Sequence, residues 1–265
     1  MAGTLFVVAT PIGNLDDITI RALRVLREVD LIAAEDTRHT AHLLLRHGIT
    51  TPTTSLHEHN EATKAGAIVA RLVAGERVAL VSDAGTPTIA DPGVGLVRAA
   101  LEAGVRVEPI PGPNAAVAML SASGLLTDSF TFLGFPPTKP SARKRWFSVL
   151  ATTPGVAVFY ESPHRIRSTI GEITEKIGDK FGVIGREVTK THEQLVRGPI
   201  STLVNSLASG KGEFTIAVEI GHIAEFEIAG PADLARSRRK MIATLADAMG
   251  LSANDLYAAV EKVRK

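Results

Sequence analysis

The stretch Val81-Ser82-Asp83-Ala84-Gly85-Thr86-Pro87-Thr88-Ile89-Ala90-Asp91-Pro92-Gly93 gathers the residue types from which small-molecule sites are built. Gly85 and Gly93 can take positive φ and let the main chain approach a ligand. Pro87 and Pro92 stiffen the loop in advance. Asp91, Pro92 and Gly93 stand where an apolar helical stretch, Val94 to Ala103, begins. Free N–H groups there can meet a carboxylate or a phosphate. A second polar group, Glu35-Asp36-Thr37-Arg38, brings two carboxylates beside a guanidinium. Its plainest use is a helix cap with a local ion pair.

The histidines invite a metal reading. His39 and His42 are three apart on a predicted helix, and His57 and His59 alternate, with Asp36 and Glu58 nearby. That spacing matches no closed zinc site, so polar or exposed histidines and no metal are expected. The chain has no cysteine, which excludes disulfides and thiolate chemistry. Gly93-Val94-Gly95 has Arg98 where a dinucleotide fingerprint needs a third glycine. There is no Walker A sequence and no Gly-x-Ser-x-Gly, so a P-loop nucleotide site and an α/β-hydrolase are both disfavoured.

The elements that must carry these groups alternate. Apolar runs at Thr4–Ala9, Leu31–Ala34 and Arg77–Val81, and the segment Val105–Ile110, read as strands. Helical stretches fall at about 20–29, 43–45, 65–73, 94–103 and 115–123, with Asp16 or Asp17 as the cap of the first. Such alternation predicts a mostly parallel sheet. Parallel strands would bring the loops at 10–17, 35–38, 82–93 and 111–114 to one edge, where ligands of such sheets bind. A second block starts near Phe130, with an apolar and aromatic run at Phe130–Phe135, a loop over Pro136–Arg145 and a buried strand at Val156–Tyr160. A helix carrying Ile166, Ile170, Ile173 and Ile177 follows, then a segment Phe181–Ile184 leading to Arg186, and a closing strand at Phe214–Ile220. A mixed sheet is expected there. The tail reads as two helices, Ala235–Met249 and Ser252–Val263, with Ser252 as a cap. The expected organisation is therefore an α/β domain over 1–125, a second over 126–225, and a helix-turn-helix-like hairpin over 226–265.

The 265 residues carry a net charge of +1, with a net of +2 over 226–265 and −1 over the rest. Any nucleic-acid surface must then be a local patch. The N-terminus lacks a basic, cleavable leader pattern, and no apolar run reaches the ~20 residues of a membrane span. A cytoplasmic protein with no membrane partner is the expectation.

Several motifs occur together in one order: Thr10-Pro11-Ile12-Gly13-Asn14-Leu15-Asp16-Asp17, Ala34-Glu35-Asp36-Thr37-Arg38, Val81 to Gly93, Pro111-Gly112-Pro113, Phe159-Tyr160-Glu161-Ser162-Pro163-His164-Arg165, Arg186-Glu187-Val188-Thr189-Lys190 and Gly212-Glu213. On these the chain resembles the bacterial 16S rRNA (cytidine 1402)-2′-O-methyltransferases. That family lies in the tetrapyrrole-methylase-like, class III group of S-adenosylmethionine (SAM) enzymes. Two stretches depart from the family pattern: Phe135-Pro136-Pro137 has Pro where the family's loop usually reads Phe-Leu-Pro, and Val218-Glu219-Ile220-Gly221 carries an extra residue before its glycine. The resemblance implies two α/β domains with SAM in the cleft between them, and a homodimer. It implies that Ser82, Asp83, Ala84, Gly85, Thr86 and Pro87 form the cofactor loop and Pro111, Gly112 and Pro113 a second wall. Tyr160, Glu161, Glu213 and Phe214 would close the site from the second domain. The implied substrate is 16S rRNA in the 30S subunit.

For methyl transfer to a ribose hydroxyl, a proton acceptor should help. Glu35 and Asp36 are the candidates, with Arg38 orienting the acid or gripping a phosphate, and Asn14 and Asp16 as second choices. Lys139, Arg143, Lys144 and Arg145 beside Trp146, and Arg236, Arg238, Arg239 and Lys240 in the tail, are candidate RNA-binding clusters. The rivals are a related methyltransferase acting on a tetrapyrrole or diphthine intermediate, and a non-enzymatic nucleic-acid-binding regulator.

Overall fold

The computed structural model describes residues 2–207, 210–221, 246 and 252–256. Its contacts divide the chain into Met1–Gly221 and His222–Lys265. The first half of the larger unit runs β1 (Thr4–Val8), α1 (Ile20–Glu28), β2 (Leu31–Ala34), α2 (Thr37–Arg46), β3 (Thr53–Ser55), α3 (Glu61–Val73), β4 (Arg77–Val81), α4 (Val94–Glu102), β5 (Arg106–Ile110) and α5 (Ala115–Ser123). The five strands form one sheet in the order β3-β2-β4-β1-β5, and every pairing is parallel.

The sheet is parallel because helices cover both of its faces. Successive strand residues point to opposite sides. Phe6, Val8, Ile32, Ala34, Ala79 and Val81 meet α1 and α2 on one side. Leu5, Leu31, Ala33, Val78 and Leu80 meet α3 and α4 on the other. Two-sided burial explains why Leu31–Ala34 and Val78–Val81 are unbroken apolar runs.

The second half runs β6 (Phe130–Phe132), α6 (Pro140–Thr152), β7 (Gly155–Glu161), α7 (Ile166–Ile177), β8 (Phe181–Arg186), β9 (Gln194–Pro199), α8 (Ile200–Leu203) and β10 (Phe214–Gly221). Its sheet has the order β6-β7-β10-β8-β9, with only β6 and β7 parallel. Ala157, Phe159, Ile184, Ile216 and Val218 pack under α6, α7 and α8. Val156, Val158, Val183 and Ala217 pack instead against Ala116, Met119 and Leu120 of α5. Helix α5 thus leaves the first sheet and covers the second. The register of β10 on β7 shifts between Glu219 and Gly221, a bulge at the end of the strand.

Three local readings need correction. Thr19, not Asp16 or Asp17, caps α1, its hydroxyl accepting from the Ala22 amide at 3.1 Å; Leu15–Asp17 is a 3-10 turn. Residues 140–145 are the first turns of α6 rather than loop, with Pro140 at the helix start, where its missing N–H is harmless. The short strand β3 and the edge strand β9 lie in stretches read as connections. In the smaller unit, Ser252 Oγ accepts from the Asp255 amide at 3.2 Å and donates to its carboxylate at 2.8 Å, the expected cap. Most of the two expected tail helices, and the Arg236–Lys240 cluster, lie outside the described residues. Among the described residues, no helix is long and apolar enough to cross a membrane.

Candidate active site

The carboxyl ends of β1, β2, β4 and β5 are sewn together on one edge of the first sheet. Thr10 and Gly85 exchange backbone hydrogen bonds at 2.8 and 3.0 Å. Thr10 Oγ1 also donates to the Ser82 carbonyl at 3.2 Å. The Asp36 amide donates to Asp83 Oδ1 at 3.0 Å, and the Asp83 amide donates to Glu35 Oε2 at 3.3 Å. Thr86 Oγ1 donates to the Pro113 carbonyl at 3.1 Å. The convergence expected from a parallel sheet is therefore a hydrogen-bonded seam.

The loop after β4 makes this possible through backbone that few residues adopt. Gly85 and Gly93 sit at φ 82° and 118°, and Thr88 and Ala90 at 72° and 66°. Left-handed φ costs a non-glycine residue about 1–2 kcal/mol, and a β-branched threonine pays it least willingly. Such strain concentrates where a loop is held in a working shape.

Facing the seam, the second sheet closes a cavity of about 360 Å³. From the first sheet it is lined by Ile12, Glu35, Asp83, Ala84, Gly85, Thr86, Ile89 and Asp91, and from the start of α5 by Asn114 and Ala115. From the second half come Phe135, Tyr160, Glu161, Ser162, Pro163, Val188, Glu213, Phe214 and Thr215. The Tyr160 hydroxyl accepts from the Ala116 amide at 3.3 Å, so the phenol is tied to the start of α5. Phe132 and Phe135 pack their rings against it at 4.9 and 5.4 Å. Burial pushes the Tyr160 phenol above its ordinary pKa, keeping it neutral.

Among the described residues, the lining holds five carboxyl groups and no Lys, Arg or His. Burial, with Asp83 and Asp36 close by, raises the pKa of Glu35. Asp91 moves further. Burial and the charges of Glu35 and Asp83 push it up to about 6, only partly offset by the Ser82 hydroxyl. Glu161 is differently held: its fully buried carboxylate pairs with Arg165 at 2.8 Å and accepts from Thr169 Oγ1 at 2.6 Å. Its charge is spent in fixing the turn after β7.

The sequence-derived residues divide on this geometry. Glu35, Asp83, Ala84, Gly85, Thr86, Tyr160, Glu161, Glu213 and Phe214 line the cavity. Ser82 is buried beneath it, and Pro113 contributes a carbonyl to the seam. Pro87, Pro111 and Gly112 shape the loops without lining the cavity. Asp36, Arg38 and Asn14 do not line it either. Asp36 Oδ1 accepts from the Arg38 amide at 2.8 Å as the cap of α2, and its carboxylate grips the exposed Arg38 guanidinium at 2.7 and 3.1 Å. That pairing holds the Asp36 carboxyl far below the usual range, which suits a cap and not a proton acceptor. Asn14 caps the 3-10 turn, accepting from the Asp16 amide at 3.2 Å.

Asp91 is the lining carboxylate that sequence reasoning did not assign a role. It stood in the right loop, but its direction depends on the left-handed residues around it. Of the basic cluster Lys139, Arg143, Lys144 and Arg145 beside Trp146, the structure corrects Arg143 and Trp146 and leaves Lys139, Lys144 and Arg145 exposed. Trp146 is a core residue that donates Nε1–H to the Leu133 carbonyl at 3.0 Å, so it offers no face to a base. Arg143 is locked onto Glu172 at 2.7 Å and Thr169 at 2.9 Å.

Solved structures share this architecture. The chain is similar to uroporphyrin-III C-methyltransferase from Thermus thermophilus complexed with S-adenyl homocysteine, at 18% identity and a TM-score of 0.58 over 82% of this chain and 98% of that one. Diphthine synthase gives 17% identity and a TM-score of 0.60 over 82% and 90%. The fold is that of the class III methyltransferases. The model of the tetrapyrrole (corrin/porphyrin) methylases matches residues 4–204. Two curated relatives share the name ribosomal RNA small subunit methyltransferase I. The protein of Xylella fastidiosa is 50% identical over 82% of this chain and 81% of its own length. That of Escherichia coli O157:H7 is 45% identical over 96% and 93%. The chain belongs to the tetrapyrrole methylase family, and within it to the group of the ribosomal RNA small subunit methyltransferases I.

Proposed function

We propose that this protein is a SAM-dependent methyltransferase of small-subunit ribosomal RNA that methylates the ribose 2′-hydroxyl of cytidine 1402 in 16S rRNA. In this reading it works in the cytoplasm, as a homodimer, on the 30S subunit. The observation that carries it is the carboxylate-lined cavity at the strand-end seam, with no Lys, Arg or His among its described lining residues. The names of the relatives support an rRNA substrate. They weigh against a tetrapyrrole or diphthine acceptor.

The donor set fits SAM. A cavity of about 360 Å³ is within the ~300–1,000 Å³ of small-molecule sites. A phosphate would find no cation on its walls, whereas a sulfonium and an ammonium would find carboxylates. Ser82, Asp83, Ala84, Gly85, Thr86 and Pro87 are the proposed cofactor loop, with Pro111, Gly112 and Pro113 buttressing it. Tyr160, Glu161, Glu213 and Phe214 close the opposite wall.

When bound, SAM supplies an electrophilic methyl group on a sulfonium leaving group. The chain's contribution is position and proton acceptance. The seam holds the loops rigidly, so the ribose oxygen can be kept in line with the methyl. Glu35 and Asp91 face the cavity and are the proposed acceptors of the hydroxyl proton. Asp91, with a pKa of about 6, is ionised yet basic near neutral pH, the condition under which a carboxylate accepts a proton best. Asp36 and Arg38 act one step removed, through the Asp36 amide that holds Asp83.

The test is methyl transfer from isotopically labelled SAM to 30S particles lacking the modification, with the product mapped by nuclease digestion and mass spectrometry. The reading expects one methyl on the ribose of cytidine 1402. A base methyl, a different nucleotide or no transfer would overturn it.

A further inference from the structure

A second cavity of about 330 Å³ lies beside the first, sharing Asp83 with it. Its walls include Gly13, His39, Thr40, His42 and Lys190. A neighbouring groove shares Gly13, Leu15 and Lys190 and adds Arg46 and Thr189. Unlike the cofactor cavity, this surface is rich in donors. His39, His42 and Arg46 fall at i, i+3 and i+7 on α2, and so share one face over about 10 Å. All three are exposed, and no ion pair holds Arg46 among the described residues.

Two hydroxyls on these walls lack partners among the described residues. Thr40 is 3% exposed, and its Oγ1 has no hydrogen bond. Thr189 Oγ1 is likewise buried and unpaired. A buried hydroxyl normally finds a partner, and one left over asks for an explanation. Gly13 packs where a Cβ would collide with Lys190 and come within 3.1 Å of Thr189 Oγ1, so the floor is close-fitting. Lys190 is itself held between Glu187 and Glu213 at 3.1 and 3.0 Å, so it positions those loops and leaves the contact with a ligand to α2.

We propose that this face of α2, with His39, His42 and Arg46 and the unpaired hydroxyls of Thr40 and Thr189, holds the phosphodiester backbone of the acceptor RNA strand beside the nucleotide being methylated. The inference rests on the proposed function for its RNA substrate. Arg46 neutralises a phosphate of a single strand, and the imidazole N–H groups and the hydroxyls complete the hydrogen bonding along the backbone. The position is apt because Asp83 belongs to both cavities, so a strand lying here passes the donor site.

Two measurements separate this inference from the reading it rests on. Binding of unmodified 30S particles without SAM is followed across a salt series, and methyl transfer is followed separately. For His42→Ala/Arg46→Ala, binding at least fivefold weaker is expected, with a log–log salt slope smaller by about 1 and SAM affinity unchanged. Thr40→Val removes an unpaired hydroxyl and should fold as well as the parent. It should nevertheless bind the particles severalfold more weakly. Arg98→Ala, an exposed charge on α4, serves as the control. Unchanged affinity and salt slope in the double variant would overturn the inference even with methyl transfer intact. So would Thr40→Val binding like the parent. Wild-type protein that binds particles through these residues but transfers no methyl would instead sink the proposed function alone.

Discussion

Thr10 and Gly85, far apart in sequence, exchange both backbone hydrogen bonds, at 2.8 and 3.0 Å, and so clamp the end of β1 to the end of β4. The clamp needs Gly85 at φ 82°. A Cβ there would meet Ile12 Cγ2 at 3.4 Å and Pro113 O at 3.8 Å, which are ordinary contacts. The cost of Gly85→Ala is therefore backbone strain, about 1 kcal/mol. A fall in melting temperature of a few degrees is expected, with SAM affinity several times weaker by calorimetry. An unchanged affinity would show that the clamp does not shape the site.

Asp91 couples stability to pH. Its folded pKa, about 6, lies above the ordinary 3.8. Below about pH 4 both folded and unfolded chains carry this proton. Between about 4 and 6 the folded chain keeps a proton that the unfolded chain has released, so stability falls as pH rises through that window. Above it the deficit is constant. Asp91→Asn should therefore raise stability by about 1–2 kcal/mol at pH 7.5 and by nothing near pH 3.5, read from urea midpoints. The same variant should lose tenfold or more in methyl transfer. Wild-type transfer should fall as pH drops through about 6.

Arg143 and Trp146 are structural. Arg143 bonds Glu172, Thr169 and the Pro137 carbonyl, and Trp146 stacks edge-on with Phe147 and Phe159 at 5.2 Å. Arg143→Ala should cost about 2 kcal/mol by losing charge-assisted hydrogen bonds. Binding of 30S particles and its salt slope should not change. A flattened slope would return Arg143 to the RNA surface.

These cases show what the sequence displayed. The strands β2 and β4 were legible because burial on both faces makes them unbroken apolar runs, whereas the edge strand β5 carries Arg106 and Glu108 and was marked by the Pro-Gly-Pro loop that follows it. Their shared edge followed from parallel pairing alone. Residues 140–145 misled because Pro, Lys and Arg fill the first turns of α6, while its core contacts, Trp146, Phe147 and Leu150, come later. Strand β9 was hidden since Gln194–Pro199 alternates half-buried with exposed residues at a sheet edge. Glu35 was separable from Asp36 only in three dimensions: adjacent residues leave the strand end on different sides, one into the cavity and one onto α2. Asp91 points inward through the left-handed turns at Thr88 and Ala90, which no residue type announces.

SAM binding in the cavity at the seam can be tested at a single residue. Ala84 is exposed on its wall, so Ala84→Phe can fill the space without disturbing the core. Calorimetric titration with SAM should show binding to the wild type and a loss of at least tenfold in Ala84→Phe, with melting temperature unchanged. Equal affinity in a folded Ala84→Phe would place the methyl donor elsewhere and contradict the assignment.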